Sequence, residues 1–234
     1  MIFKNCTFFN ENFEKEYGDI EIENGKIKQI GILDGEGKDM SGKIIIPGFI
    51  DVHIHGCAGG DASDADKSGL EKMAKELAKH GVTSFCPTSM TLPKEKLENI
   101  VETVKEFKSE SHEGSKVIGI NLEGPFIAMS KKGAQNAEYV RGGTIEEFDD
   151  LYKKSGELVK LITIAPEAFD SEKFINHAKD YTNVSIGHSA ANANECKKAI
   201  ENGINHATHL FNAMTPMAHR EAGIVGTVLD DERV

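Results

Sequence analysis

The chain is predicted to be an α/β protein, a small β unit followed by strand-helix units of a parallel sheet, and three observations carry that expectation. Residues 1–46 contain only short β-like runs separated by turns. From Pro47 onward apolar strand-like runs alternate with amphipathic helical stripes. The residues able to do chemistry fall at the ends of several different strand runs.

In the first stretch, Ile20-Glu21-Ile22-Glu23 alternates, Asn24-Gly25 is a hairpin signal, and Lys26-Ile27-Lys28-Gln29-Ile30 alternates again. Gly31, Gly35, Gly37 and Gly42 punctuate residues 31–42, and Lys43-Ile44-Ile45-Ile46 is a further strand. Beyond the Pro47-Gly48 turn, a short apolar strand runs to His53 and His55. Leu70, Met73, Ala74, Leu77 and Ala78 make a helical stripe stopped by Gly81. Residues 82–86 are the next strand. Pro93 opens a helix whose stripe is Leu97, Ile100, Val101, Val104 and Phe107. Residues 117–122 form a strand ending at Glu123, and Thr144 with Glu147 gives a capping box for a third helix. A strand at 158–164, a helix from Ser171, a strand at 184–187 ending at His188, a helix at 192–202 closed by Gly203, and a last strand at 205–210 complete the pattern.

Such alternation implies parallel strands joined by crossover helices, which a doubly wound sheet and a (β/α)₈ barrel both satisfy. Six units at most are counted before Val234. A full barrel needs eight strands and typically ~250 residues. The barrel reading therefore carries the expectation of incompleteness at the C-terminus, with 1–46 as the β unit and 47–234 as the first six units.

At 234 residues, 39% hydrophobic and 28% charged, the chain can bury a substantial core. A net charge of −11 argues against general nucleic-acid binding and leaves no polybasic membrane patch. No apolar run approaches the ~20 residues of a membrane span. The N-terminus has no signal-peptide apolar region, so a cytoplasmic location is expected. Cys6, Cys57, Cys86 and Cys196 are scattered and read as free thiols.

His53 and His55 sit at i and i+2 on one strand and so share a face. Two imidazoles at a strand end suit a divalent metal. Glu123, His188 and His209 lie at the ends of other strands, and parallel strands of a barrel all end on the face where active sites form. Three such ligands with an open fourth position are the pattern of catalytic zinc. Glu123 can also bridge to a second ion held by His53 and His55. His206 lies three residues before His209, so on an extended strand only one of them points into the mouth, and spacing does not choose between them. His80, His112 and His177 lie on helices or polar loops and are given no site role.

Taken in order, Pro-Gly-Phe-Ile-Asp-Val-His-Ile-His-Gly (47–56), Leu-Glu-Gly-Pro-Phe (122–126), Lys-Lys-Gly-Ala-Gln-Asn (131–136), Ala-Pro-Glu (165–167), Gly-His-Ser (187–189) and Thr-His-Leu-Phe-Asn-Ala-Met (208–214) resemble the N-acetylglucosamine-6-phosphate deacetylases of the amidohydrolase superfamily. The resemblance covers essentially the whole chain. It implies a metal-dependent amidohydrolase-type barrel, with residues 1–46 as the N-terminal part of a small β-sandwich. Glu123, His188 and His209 match the ligands of the principal ion, which selects His209 over His206. His53 and His55 match a pair that binds a second ion in some members. Zinc is the expected metal, with iron the alternative, as one or two ions.

The resemblance also implies a sugar-phosphate substrate. Ala134 and Gln135 match the segment touching the sugar, some members carrying His at the position of Gln135. Asn212 and Ala213 match a phosphate-contacting turn. Arg220 matches a phosphate-binding arginine that reaches across a dimer interface, so a homodimer is expected at full length. A guanidinium and a turn with free N–H groups suit a phosphate. The implied reaction, in amino-sugar catabolism, is hydrolysis of N-acetylglucosamine 6-phosphate to glucosamine 6-phosphate and acetate by metal-activated water. The family's base is an aspartate at the end of the eighth strand. No residue here matches it, so it is expected beyond Val234. Two alternatives stand beside this reading. One is another amidohydrolase, although cyclic-amide hydrolases and deaminases often use a bridging lysine where this chain has Glu123. The other is an inactive metal-binding fragment.

Overall fold

A computed structural model describes residues 1–234, which divide into two units, Met1–Gly48 and Phe49–Val234. The first unit is a five-stranded sheet of β1 (Ile2–Phe9), β2 (Lys15–Glu23), β3 (Lys26–Gly31), β4 (Lys38–Asp39) and β5 (Ile44–Ile45). β1 pairs antiparallel with β2, and β2 with β3, closing Glu23 against Lys26. Asn24 and Gly25 both take positive φ, 52° and 74°, the backbone that a two-residue hairpin needs. Cys6, Phe8 and Ile20 form the small core. Asp19 fastens this sheet: it accepts from Lys4 Nζ at 2.9 Å and from the backbone N–H groups of Asn5 at 2.9 Å and Leu33 at 3.0 Å.

The second unit opens with β6 (Phe49–Ile54) and a small ribbon, β7 (Gly56–Cys57) with β8 (Gly60–Asp61). It continues as α1 (Lys67–Lys79), β9 (Val82–Ser89), α2 (Lys94–Ser109), β10 (Lys116–Val117), β11 (Ile120–Glu123), α3 (Ile145–Lys154), β12 (Val159–Ile164), α4 (Ser171–Ala178), β13 (Asn183–Ile186), α5 (Ala193–Asn202), β14 (Ile204–Ala207) and α6 (Gly223–Asp230). β9 pairs with β6 on one side and with β10 and β11 on the other, then β12, β13 and β14 continue in chain order. Every one of these pairings is parallel, so all the strands end on the same side. This is the parallel half-barrel expected of the strand-helix alternation. None of its helices is long and apolar enough to cross a membrane.

Alternate strand positions define two faces. Ile162, Ile164, Val184 and Ile186 pack with Phe148, Leu151 and Phe174 in the core between sheet and helices. Thr163 and Ser185 point the other way, and both hydroxyls bond Thr208 Oγ1, at 2.8 and 2.6 Å. The helix ends differ in one respect from expectation. Thr144 Oγ1 accepts from Glu147 N, but the Glu147 carboxylate turns to Arg141 instead of completing the box. The complete capping box is Asn192 with Glu195, at the start of α5.

Both units offer a measurable test of stability. Phe148 is fully buried against Phe174, and Phe148→Ala is expected to lower unfolding free energy by ~3–5 kcal/mol in a denaturant titration. The Leu33 N–H, then the Lys4 ammonium and the Asn5 N–H, hold the Asp19 carboxyl down at about 2. Its contribution is complete above the ordinary carboxyl value of ~3.9 and is lost as pH falls through about 2. Asp19→Asn is expected to destabilise the chain at pH 7, with the gap to wild type shrinking between pH about 4 and about 2. A pH-independent gap would contradict this role.

Candidate metal centre

The five sequence-selected ligands converge at the C-terminal ends of the parallel strands. His53 lies near the end of β6 and His55 just past it. The Ile54 N–H between them donates to Thr88 Oγ1 at 3.0 Å, at a register irregularity against β9. Glu123 is the last residue of β11. His188 lies two residues past β13, and His209 two residues past β14. The last strand therefore stops at Ala207, short of the expected Leu210. Both histidines have positive φ, 48° and 33°, so the chain turns sharply as it leaves the sheet and swings each ring over the strand ends.

Glu123 is the common partner, with only 2% of its surface exposed. Its Oε1 lies 3.2 Å from His188 Nε2, 2.9 Å from His209 Nε2 and 3.5 Å from His53 Nε2. Its Oε2 lies 2.9 Å from His55 Nε2. The two nitrogens of His188 and His209 are 3.1 Å apart. Ligands ~2.0–2.1 Å from a tetrahedral ion are ~3.3 Å from one another. Glu123, His188 and His209 match that spacing to within a few tenths of an ångström.

The tautomers sharpen this. His188 Nδ1 is 2.8 Å from the Lys131 carbonyl, and His55 Nδ1 is 3.1 Å from the Thr88 carbonyl. A carbonyl oxygen only accepts, so in both rings Nδ1 carries the hydrogen and Nε2 is left with its lone pair. Each lone pair then faces a carboxylate oxygen, which is repulsive unless a proton or a metal cation sits between them. Backbone acceptors fixing Nδ1 while Nε2 faces inward are the usual outer arrangement of metal-binding histidines. His53 differs. Asn121 Nδ2 donates to the Val52 carbonyl at 2.9 Å and lies 3.5 Å from His53 Nδ1. That contact favours hydrogen on Nε2, so His53 is less prepared as a ligand than the others.

Burial pushes the Glu123 carboxyl up, but with a proton between the facing atoms the hydrogen bonds to His188, His209 and His55 outweigh it and hold the group below the usual carboxylate range. The Glu123 hydrogen bond raises His209 above its ordinary value. Burial opposes charge on His55, yet Glu123 wins there as well and the ring is raised. His53 is lowered, chiefly by burial, with the neighbouring histidines adding to it. The pocket thus favours the ionised form of buried Glu123, which suits a cationic partner.

The remaining candidates divide by exposure. Ala134, Asn212 and Arg220 are exposed, and Arg220 has no ion pair with Glu221, whose carboxylate accepts from the Ala193 N–H instead. Ala213 has a positive φ of 54°, and its carbonyl accepts from the Ser189 N–H at 3.1 Å, tying its turn to the His188 loop. Gln135 is buried. His206 stays out of the cluster: its Nδ1 meets Ser185 Oγ at 2.9 Å, and burial lowers its pKa. His80 and His177 pair with Glu76 and Asp149, and His112 stacks on Phe107. Glu167, of the Ala-Pro-Glu motif, accepts from Ser189 Oγ at 2.6 Å and from the Ala190 N–H, bracing the loop that starts at His188. No spacing rule could have assigned that role, because it depends on two strands lying side by side.

Elemental analysis of the purified chain tests the ligand set. Glu123→Gln and His188→Ala are each expected to weaken metal binding by more than the ~10–100-fold that loss of an outer partner costs. Either variant keeping its full metal content would refute these ligands.

The amidohydrolase family model matches residues 44–231. N-acetylglucosamine-6-phosphate deacetylase of Bacillus subtilis is 34% identical over 239 residues, covering 98% of this chain and 60% of its own length. The Danio rerio deacetylase of the same name is 37% identical, covering 98% of this chain and 59% of its own. Among solved structures, a Mycobacterium smegmatis N-acetyl-D-glucosamine-6-phosphate deacetylase variant, in complex with N-acetyl-D-glucosamine-6-phosphate, superposes with a TM-score of 0.91 at 26% identity, covering all of this chain and 61% of that one. This chain thus spans about 60% of the length of these relatives. With four-fifths of its residues matched by the family model and its strand-end Glu-His cluster in place, the chain belongs to the amidohydrolase family.

Proposed function

We propose that the whole protein hydrolyses the N-acetyl group of N-acetylglucosamine 6-phosphate, releasing glucosamine 6-phosphate and acetate. The observation that carries the reading is the convergence of four imidazoles on buried Glu123 at the strand ends, in a chain whose relatives bear that activity's name. Glu123, His188 and His209 would hold the principal ion, and His53 and His55, with the other oxygen of Glu123, a second one. Zinc suits this nitrogen and carboxylate set, with iron the alternative. When bound, the metal supplies a Lewis acid that polarises the acetyl carbonyl and lowers the pKa of water.

The chain's own residues bind and orient. Lys131 and Thr88 carbonyls hold hydrogen on the Nδ1 atoms of His188 and His55, so their Nε2 atoms would be the ones offered to a metal. The Asn212-Ala213 turn and the exposed Arg220 guanidinium would take the phosphate, which an acidic chain can bind only with a local cluster. Ala134 and Gln135 would meet the sugar. In the reaction, water adds to the acetyl carbon, the C–N bond breaks, and one proton passes to the leaving nitrogen. We assign that transfer to a group outside residues 1–234, since none of them matches the family's aspartate. We also propose that the protein works in the cytoplasm as a homodimer, Arg220 serving the partner's site.

The test is to incubate the chain, and a form extended to the relatives' length, with N-acetylglucosamine 6-phosphate and to measure free amine. Amine release by the extended form, abolished by Glu123→Gln, is the expected result. Loss of the proton-transfer group alone should cost ~10²–10⁴ in rate for residues 1–234. No turnover by either form would sink the reading.

A further inference from the structure

Gln135 is the one inward-facing side chain of the stretch between Lys131 and Val140, and it is 3% exposed. Both ends of its amide are engaged. Oε1 accepts from the Thr91 backbone N–H at 2.7 Å, and Nε2 donates to Glu123 Oε2 at 2.7 Å. The orientation of the amide is not arbitrary. Thr91 N–H can only donate and an ionised carboxylate can only accept, so a flipped amide would meet a like group at each end. Thr91 Oγ1 in turn donates to the Glu123 carbonyl at 3.4 Å. Thr91, Gln135 and Glu123 thus close a ring of hydrogen bonds that grips Glu123 by both main chain and side chain. A Cβ on Gly124, whose φ is +82°, would collide with Thr91 Oγ1, so the residue beside Glu123 leaves room for this clasp.

The terminal torsion of a glutamate is broad and roughly two-fold, so nothing intrinsic decides which way its carboxylate faces. Here the decision matters, because Oε1 faces His188 and His209 while Oε2 faces His55. We propose that Gln135 is the positioning residue that sets this rotation and so governs how Glu123 binds metal. The same loop serves His188 as well: the Lys131 carbonyl takes its Nδ1 hydrogen, and the Ala128 N–H donates to its carbonyl at 2.9 Å. Residues 128–135 are accordingly an outer bracket on two ligands of the principal ion. Because Gln135 Nε2 and His55 Nε2 crowd the same oxygen, the amide also limits how far Oε2 can serve a second ion.

The inference rests on the metal reading of Glu123, and the experiment separates the two. Cobalt(II) binding is measured by competition with a chromophoric chelator, and the visible absorption of the bound ion is recorded. The chains compared are wild type, Gln135→Met, Gln135→Glu and Glu123→Gln. Gln135→Met keeps the volume and removes both hydrogen bonds. Gln135→Glu keeps the acceptor for Thr91 N–H and loses the donor to Glu123. Both are expected to weaken cobalt binding by ~10–100-fold and to shift its absorption bands, a change that a merely structural residue would not cause. Unchanged affinity and bands in both, with Glu123→Gln losing the ion, would overturn the positioning role alone. Retention of the ion by Glu123→Gln would overturn both readings.

Discussion

Glu123 carries a negative charge at a position with 2% exposure, and four imidazoles are arranged around that one group. An isolated buried charge costs several kcal/mol, so it persists only where opposite charge and hydrogen bonds meet it. The sheet supplies those partners from strands on either side of β11, none of them adjacent to it: β6 through His53 and His55, β13 through His188, and β14 through His209. Parallel register brings these strand ends level with each other, and none of the contacts exists within a single strand. The centre therefore depends on the half-barrel being formed, and the half-barrel in turn places a charge that only such a centre can balance.

Backbone conformations support the same point. His188 and His209 adopt positive φ, which costs a non-glycine residue of order 1–3 kcal/mol and is held only where its surroundings require it. At His188 the requirement is visible. Its carbonyl accepts from the Ala128 N–H, its ring donates to the Lys131 carbonyl, and the adjoining Ser189 is held by Glu167 and Ala213. Helix-facing isoleucines and valines of β12 and β13 anchor the strands against Phe148 and Phe174, and the opposite face keeps its hydroxyls paired through Thr208. Apolar packing thus stabilises one side of the sheet while the other is free to present polar groups.

Much of this was legible in the residues. Apolar periodicity located α1 and α2, because apolar spacing reports which face is buried, and cap and turn signals placed α3 to α5. In contrast, α6, at Gly223–Asp230, carried neither signal and was not expected. His53 and His55, at i and i+2, were bound to share a face, and they do meet at Glu123. The choice between His206 and His209 was not legible from spacing. It is made by the end of β14 at Ala207 and the left-handed turn at His209, neither of which the strand pattern specifies. The Thr144-x-x-Glu147 signal gave the right helix start with half its box, since Arg141 competes for the Glu147 carboxylate. The contacts of Gln135 and Glu167 were hidden for a general reason: they join segments that only the folded sheet brings together.

Glu123 is the shared anchor on which the whole centre stands. Anomalous scattering at the zinc edge, from crystals of the zinc-loaded chain, tests that most directly. A peak ~2.0–2.2 Å from Glu123 Oε1, His188 Nε2 and His209 Nε2 is the expected result. A zinc peak held by other groups, with Glu123 out of bonding reach, would contradict it.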